Sequence, residues 1–284
     1  MTSEIELAKL TRELMQACQS SVPSAVRLLN RTMPSIKRQV TTDALRRGPL
    51  SFWGRSRNHD EFADARIVPA PILQLLATFL GKDLSPETPH AGIQHCYGYL
   101  FSNLETPYGF KRSRWIETGI EESFGLSLDT LGPDPQQGTL LANATYFTGM
   151  IAFRGNSDAS SRLRRLLKMK VAQDLTGGAF LKCPHFRLSE QVRCDYRSVK
   201  QTWTLQTDVV QATNDFAVLA YSVKNHKSNR HELITLFPVD PNTAETIKER
   251  GQLQHDGEIR PRYNAYVPAL QGRVFSGRIA FHTF

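Results

Sequence analysis

Three consecutive segments decide the fold class: FAVLAYSVK (216–224), NHKSNRH (225–231) and ELITLFPV (232–239). The outer two are β-branched and aromatic runs of strand length, and the middle one is short and polar. That arrangement predicts a β-hairpin with a long polar loop. Upstream, Thr202–Val210 alternates between polar and apolar residues, as a half-buried strand does. Downstream, Tyr263–Val267 and Val274–Phe281 are again strand-like. The C-terminal half therefore predicts an antiparallel sheet.

Moving outward toward the N-terminus, the period changes. Ser3 and Glu6 form a capping box, and Leu7, Leu10, Leu14 and Cys18 recur behind it, predicting an amphipathic helix over residues 4–19. Pro23 and Pro34 bracket a short second helix. Residues 48–70 contain Gly48, Pro49, Gly54 and Pro69 and predict loop with short extended pieces. Pro71 opens an apolar helix, Ile72–Leu80, closed by Gly81. Residues 83–110 predict irregular backbone, 111–124 a helix ending at Gly125, and 126–138 a Pro/Gly loop. Segment 139–153 is apolar enough to be a helix or a buried strand. Residues 158–171 predict a basic helix with a stripe of Leu163, Leu166, Leu167 and Val171. Asn242 and Glu245 cap a short helix ended by Gly251.

Helices followed by strands give the class α+β, with a helical N-terminal region packed on a C-terminal antiparallel β-sheet. The expected division is a mainly helical region with an irregular aromatic and basic loop over 1–138, and a basic α+β region containing the sheet over 139–284.

The chain of 284 residues is 40% hydrophobic and 22% charged, which excludes disordered, collagen-like and coiled-coil classes. Its net charge of +8 is lopsided. Residues 1–142 hold 15 basic and 15 acidic side chains, and residues 143–284 hold 20 and 12. Within 154–200 alone, 11 basic residues face four acidic ones. Such a field attracts phosphates, carboxylates or anionic surfaces. Glu4 and Glu6 stand where a signal peptide carries positive charge, and no apolar run reaches membrane-spanning length. With four scattered cysteines, this predicts a soluble, reduced, cytoplasmic protein.

GxGxxG, Walker, HExxH and GxSxG signatures are absent from the sequence. Cys183, His185 and Cys194 supply only three zinc-type ligands with no second pair, so no metal and no cofactor is expected.

Two constellations carry chemistry. Residues 90–117 interleave aromatics with cations, the makings of a pocket whose rings form walls and whose cations clamp an anion. Here His95 or Glu105 is the candidate acid or base, and Tyr97, Lys111, Arg112 and Arg114 are the candidate binding residues. In the hairpin loop, His226 and His231 are candidates for proton transfer, with Lys224 and Arg230 on a phosphate. The first constellation predicts an enzyme binding an anionic small molecule such as a nucleotide, a phosphorylated metabolite or a carboxylate. The second predicts an RNA-binding protein or metal-independent ribonuclease of toxin-like type. A third reading is a non-catalytic adaptor whose basic helix docks an acidic partner.

Overall fold

The computed structural model describes residues 4–60, 63–106, 109–113, 132–133, 135, 138–167, 182–196, 199–211, 217–239, 241–252 and 274–283. The chain is α+β. Three consecutive helices, α1 (Glu4–Ser20), α2 (Val22–Thr32) and α3 (Pro34–Arg46), open it. Leu7, Leu10 and Leu14 of α1 are buried, as their spacing requires. Helix α4 (Ala70–Leu80) ends at Gly81, whose φ of +69° is the left-handed cap that glycine adopts without strain. Helix α5 (Leu140–Ala152) settles the ambiguous segment as a helix. Thr139 supplies its N-cap, accepting from the Ala142 N–H. Helix α6 (Ser157–Leu167) is the described part of the expected basic helix.

The irregular stretch between α4 and α5 is less loop-like than its prolines suggest. It contains a π-turn over Gln94–Gly98, a minimal hairpin of β1 (Glu105–Thr106) with β2 (Gly109–Phe110), and a 3-10 turn at Lys111–Ser113. Most of the helix expected over 111–124 lies outside the described residues. So do the strand expected at Tyr263–Val267 and the Ser3 cap.

Five antiparallel strands form the sheet in the order β6-β5-β4-β3-β7. They are β3 (His185–Tyr196), β4 (Val199–Gln211), β5 (Ala217–Asn225), β6 (Arg230–Val239) and β7 (Val274–Thr283). The expected hairpin is β5–β6. At its tip the Asn225 side chain accepts from the N–H groups of Lys227 and Ser228, and Asn229 takes a left-handed φ of 49°. Helix α7 (Pro241–Gln252) begins one residue before Asn242, so Asn242 sits in its first turn rather than capping it.

Alternation along β5 sorts the core into two layers. Val218 and Ala220 join Leu233 and Leu236 under the helices of the N-terminal region. Ala217, Leu219, Tyr221 and Val223 face the other way, packing with Ala244 and Ile247 of α7. The helix-side core runs without a break from Leu7 to Leu236. The exposed edge of β6 is covered by Trp53–Gly54, where the Gly54 N–H donates to the Leu233 carbonyl at 2.9 Å.

One buried polar cluster fastens α5 to the sheet. Arg187 of β3 and Asp208 of β4 are direct cross-strand partners, joined Nε to Oδ1 at 2.7 Å. The rest of the guanidinium caps the C-terminus of α5 and the turn after it. Nη2 donates to the Ile151 and Ala152 carbonyls, and Nη1 donates to the Arg154 carbonyl at 2.7 Å. Gln206 donates from the same Nε2 to the Ala152 carbonyl and to Asp208 Oδ2. His185 Nδ1 faces the Arg154 guanidinium, which can only donate, so its Nε2 carries the proton and donates to Asp208 Oδ1 at 2.8 Å.

Arg187→Met should cost about 3–5 kcal/mol, because it removes the arginine charge that balances a fully buried carboxylate and uncaps α5. Urea unfolding measures it; a loss below about 1 kcal/mol means that the cluster does not hold the layers together.

Candidate functional site

A hollow among the described residues lies where α3 meets the N-terminus of α5. Helix α3 follows from sequence in a way that the expectations above missed. Pro34 occupies its first turn, and Ile36, Gln39, Val40 and Asp43 recur at helical spacing and are all buried. Two stripes on this helix have different tasks. Gln39 and Asp43, four residues apart, point into the protein. Arg38, Thr42 and Arg46 line the hollow.

The inward stripe holds the start of α5. The N–H groups of a helix's first turn lack intrahelical partners, and here those of Leu140, Leu141 and Ala142 are each met by a side chain, with the Asn143 N–H beginning the helix's own ladder. Leu140 N–H donates to Gln39 Oε1 at 2.7 Å, and Leu141 N–H donates to the Tyr97 hydroxyl at 3.4 Å. Ala142 N–H donates to Thr139 Oγ1 and Asn143 N–H to the Thr139 carbonyl. Asp43 receives the Tyr97 and Thr139 hydroxyls, both at 2.6 Å, one on each oxygen. Gln39 also donates to the Pro133 carbonyl at 2.6 Å, anchoring the segment that precedes α5.

Burial pushes the Asp43 carboxyl up to about 6, against the pull of the Thr139 and Tyr97 hydrogen bonds and of Arg46. Burial, followed by the Asp43 charge, pushes the Tyr97 phenol well up, so it remains a donor. Asp43 is therefore a poised group, but both of its oxygens are occupied by the protein.

The hollow above has a volume of about 220 Å³. Arg38 and Arg46 stand beside it with Thr42, Gln39 and Thr139, and Pro135 and Gly138 close it. Gly138, at φ 72°, makes the backbone turn that presents Thr139 as the cap. Among the described residues no carboxylate lines the hollow, and neither guanidinium forms an ion pair there.

The structure distributes the sequence-predicted residues differently. His95 is buried in the core, its ring edge-on to Tyr99 at 4.6 Å. Tyr97, also buried, is the one expected residue among those described that reaches the hollow's support, through Asp43. Lys111 is held by Asp60 at 3.0 Å, with both side chains mostly buried. Arg112 is buried, donating to the Ser102 carbonyl and Asn103 Oδ1 and lying over the Phe110 ring at 4.1 Å. Glu105 is exposed on β1, and Arg114 lies outside the described residues.

In the hairpin, His226 is exposed and its Nε2 meets Thr204 Oγ1 at 2.7 Å. His231 is buried beside Phe153, with Nε2 on Ser222 Oγ at 2.9 Å. Burial drives the His231 imidazole down to about 4; it lowers that of His226 too, with Lys224 opposing charge on both. The two histidines thus occupy unlike environments. Lys224 is half-buried, and Arg230 pairs with Glu232 at 2.6 Å. His185 is committed to Asp208 and Arg154.

Asp43→Ala tests the inward stripe. The folded carboxyl titrates near 6 and the unfolded one near 3.8, so the native state holds its proton longer. That contribution is fully present below the unfolded value and is lost as pH rises through about 6. Asp43→Ala should therefore be more destabilising at pH 4.5 than at pH 7, by about 2 kcal/mol. Equal losses at the two pH values would show that the carboxyl is not shifted. Comparison with protein-family models, with curated proteins and with solved structures finds no match to this chain.

Proposed function

We propose that this protein binds a small anionic molecule, a phosphorylated or carboxylate compound, in the hollow between α3 and α5. The observation that carries this reading is the pair of guanidiniums, Arg38 and Arg46, beside a cavity with no described carboxylate in its wall. Three of the cations weighed from the sequence already have acidic partners. Lys111 has Asp60, Arg187 has Asp208 and Arg230 has Glu232. A guanidinium with no internal acceptor keeps its full capacity for an oxyanion, which it grips through two parallel N–H groups.

Size points the same way. Drug-sized ligands occupy pockets of roughly 300–1,000 Å³, and this hollow is smaller. Asp43 does not line the hollow, and each of its oxygens already accepts a hydroxyl of the protein, so the reading is one of binding. The ribonuclease alternative needs two accessible imidazoles, and His231 is buried and depressed.

Calorimetric titration with sulfate, phosphate, pyrophosphate, acetate and succinate tests the proposal. At least one should bind, and at a hundredfold excess over its Kd should stabilise the protein by about 2.7 kcal/mol. Replacing both Arg38 and Arg46 by Ala should remove that binding while leaving the fold intact, since both side chains are exposed. Anion binding that survives the double substitution overturns the proposal. So does its absence from the wild type, or salt-sensitive binding of single-stranded RNA that ignores both arginines.

A further inference from the structure

A buried carboxylate stands one side chain behind the wall of the hollow, and an anion bound there acts on it; this step rests on the reading above. Asp43 is 1% exposed and does not line the hollow, but two residues that do line it act on its carboxylate. Thr139 donates its hydroxyl to Asp43 Oδ1 at 2.6 Å. Arg46 follows three residues later on α3, and its charge favours the ionised form. The other oxygen, Oδ2, accepts from the Tyr97 hydroxyl at 2.6 Å.

Among the described residues, the elements packed on α3 bring few other titratable or charged groups. Helix α4 and the 3-10 turn Pro49–Phe52 carry none. Helix α5 carries Tyr146, and α2 carries Arg27 and Arg31, both exposed. The π-turn that presents Tyr97 also holds His95, which packs on Trp53 and Tyr99, and Cys96. Helix α3 itself adds Lys37 and Arg38, and Arg47 caps its end.

An anion in the hollow changes the Asp43 equilibrium in two ways of the same sign. Its own charge opposes the ionised carboxylate across the Thr139 side chain, where burial leaves little water to screen the pair. Held by Arg46, it also offsets the positive charge that favours the ionised form. Burial already raises the carboxyl to about 6, with the Thr139 and Tyr97 hydrogen bonds and Arg46 pulling the other way. A filled hollow weakens the pull of Arg46, so Asp43 takes its proton at a higher pH than in the empty protein. Linkage is reciprocal, and a protein protonated at Asp43 binds the anion more tightly.

We infer that the hollow takes up its anion together with a proton, and that the proton rests on Asp43. The proton comes from solvent and binds one carboxylate oxygen. The carboxyl then donates to the hydroxyl oxygen, of Thr139 or Tyr97, that formerly donated to it. An acidic medium therefore loads the site and a basic one empties it.

Sulfate is the probe, because it is a dianion throughout pH 5–8. Where sulfate does not bind, the tightest of phosphate, pyrophosphate, acetate and succinate replaces it, with its own protonation subtracted. Calorimetric titration of the wild type should give an affinity about fivefold tighter at pH 5 than at pH 8. Asp43→Asn places a neutral amide of the same shape there, and its affinities at the two pH values should agree within about twofold. The wild type also reports the proton directly, since the ¹³C resonance of the Asp43 carboxyl titrates with pH. A saturating anion should move that midpoint up by about 0.7, the same fivefold ratio on a logarithmic scale. Should Asp43→Asn fail to fold, the carboxyl midpoint alone decides. Wild-type affinities within twofold between pH 5 and pH 8, or a midpoint that the anion leaves in place, would overturn the inference and leave the proposed function standing. A pH dependence that Asp43→Asn retains would overturn it too. A wild type that binds no anion of the panel removes both.

Discussion

The Arg187–Asp208 pair is the interaction on which the rest of the structure depends. Helix α5 is buried on nearly every side, with Leu140, Leu141, Ala144, Phe147, Ile151 and Ala152 all in the helix-side core. A helix that is apolar all round gains from burial in any rotation and at any axial position, since the hydrophobic effect has no direction. Direction comes from its two ends. At one end Arg187 and Gln206 of the sheet take the last carbonyls. At the other, Gln39, Tyr97 and Thr139 take the first N–H groups. The cationic group stands at the negative end of the helix dipole and the oxygens at the positive end, so charge and hydrogen bonding agree. Asp208 then balances the buried guanidinium, which is otherwise costly to remove from water.

This fixation of α5 is what leaves a hollow. The N-terminal clamp requires the inner stripe of α3 to face α5, and helical geometry then places Arg38, Thr42 and Arg46 on the neighbouring stripe. The same clamp draws Asp43 inside, where hydroxyls rather than cations satisfy it. The carboxylate nearest the arginines in sequence is thus withdrawn from the surface, and its proton affinity rises as a result.

The sequence made the fold class legible where periodicity was strong. Helix α1 repeats its apolar residues at helical spacing, helix α4 is bounded by Pro71 and Gly81, and the β5–β6 hairpin joins two β-branched runs through a short polar loop. Segment 139–153 could not be decided that way, because a fully buried helix and a fully buried strand are both continuously apolar; Thr139 and the clamps decide it. Strand β3 is harder still. Its inward positions carry His185 and Arg187, and a strand that faces a polar cluster loses the alternation that announces it. The site was the least legible feature. Residues 90–117 have the composition of a pocket, but His95, Tyr97, Lys111 and Arg112 meet partners within the protein. Composition gives residue types, and only the fold gives partners. A tally of charge by halves has the same weakness, since it subtracts acids from bases without asking which of them touch.

Two guanidiniums on one helix face form no ion pair among the described residues. Both are exposed to water and salt, which screen their mutual repulsion. Each is exposed, so neither pays the desolvation that Arg187 does. Leaving them unpaired is therefore cheap in the empty state, and each keeps its hydrogen-bonding capacity for a ligand. Closer spacing would raise the local field but penalise the empty protein. Pairing either with a carboxylate on α3 would steady the helix by only a few tenths of a kcal/mol and would close the hollow to anions. Asp43 occupies the position from which such a carboxylate could reach Arg46, and the Tyr97 and Thr139 hydroxyls turn it the other way.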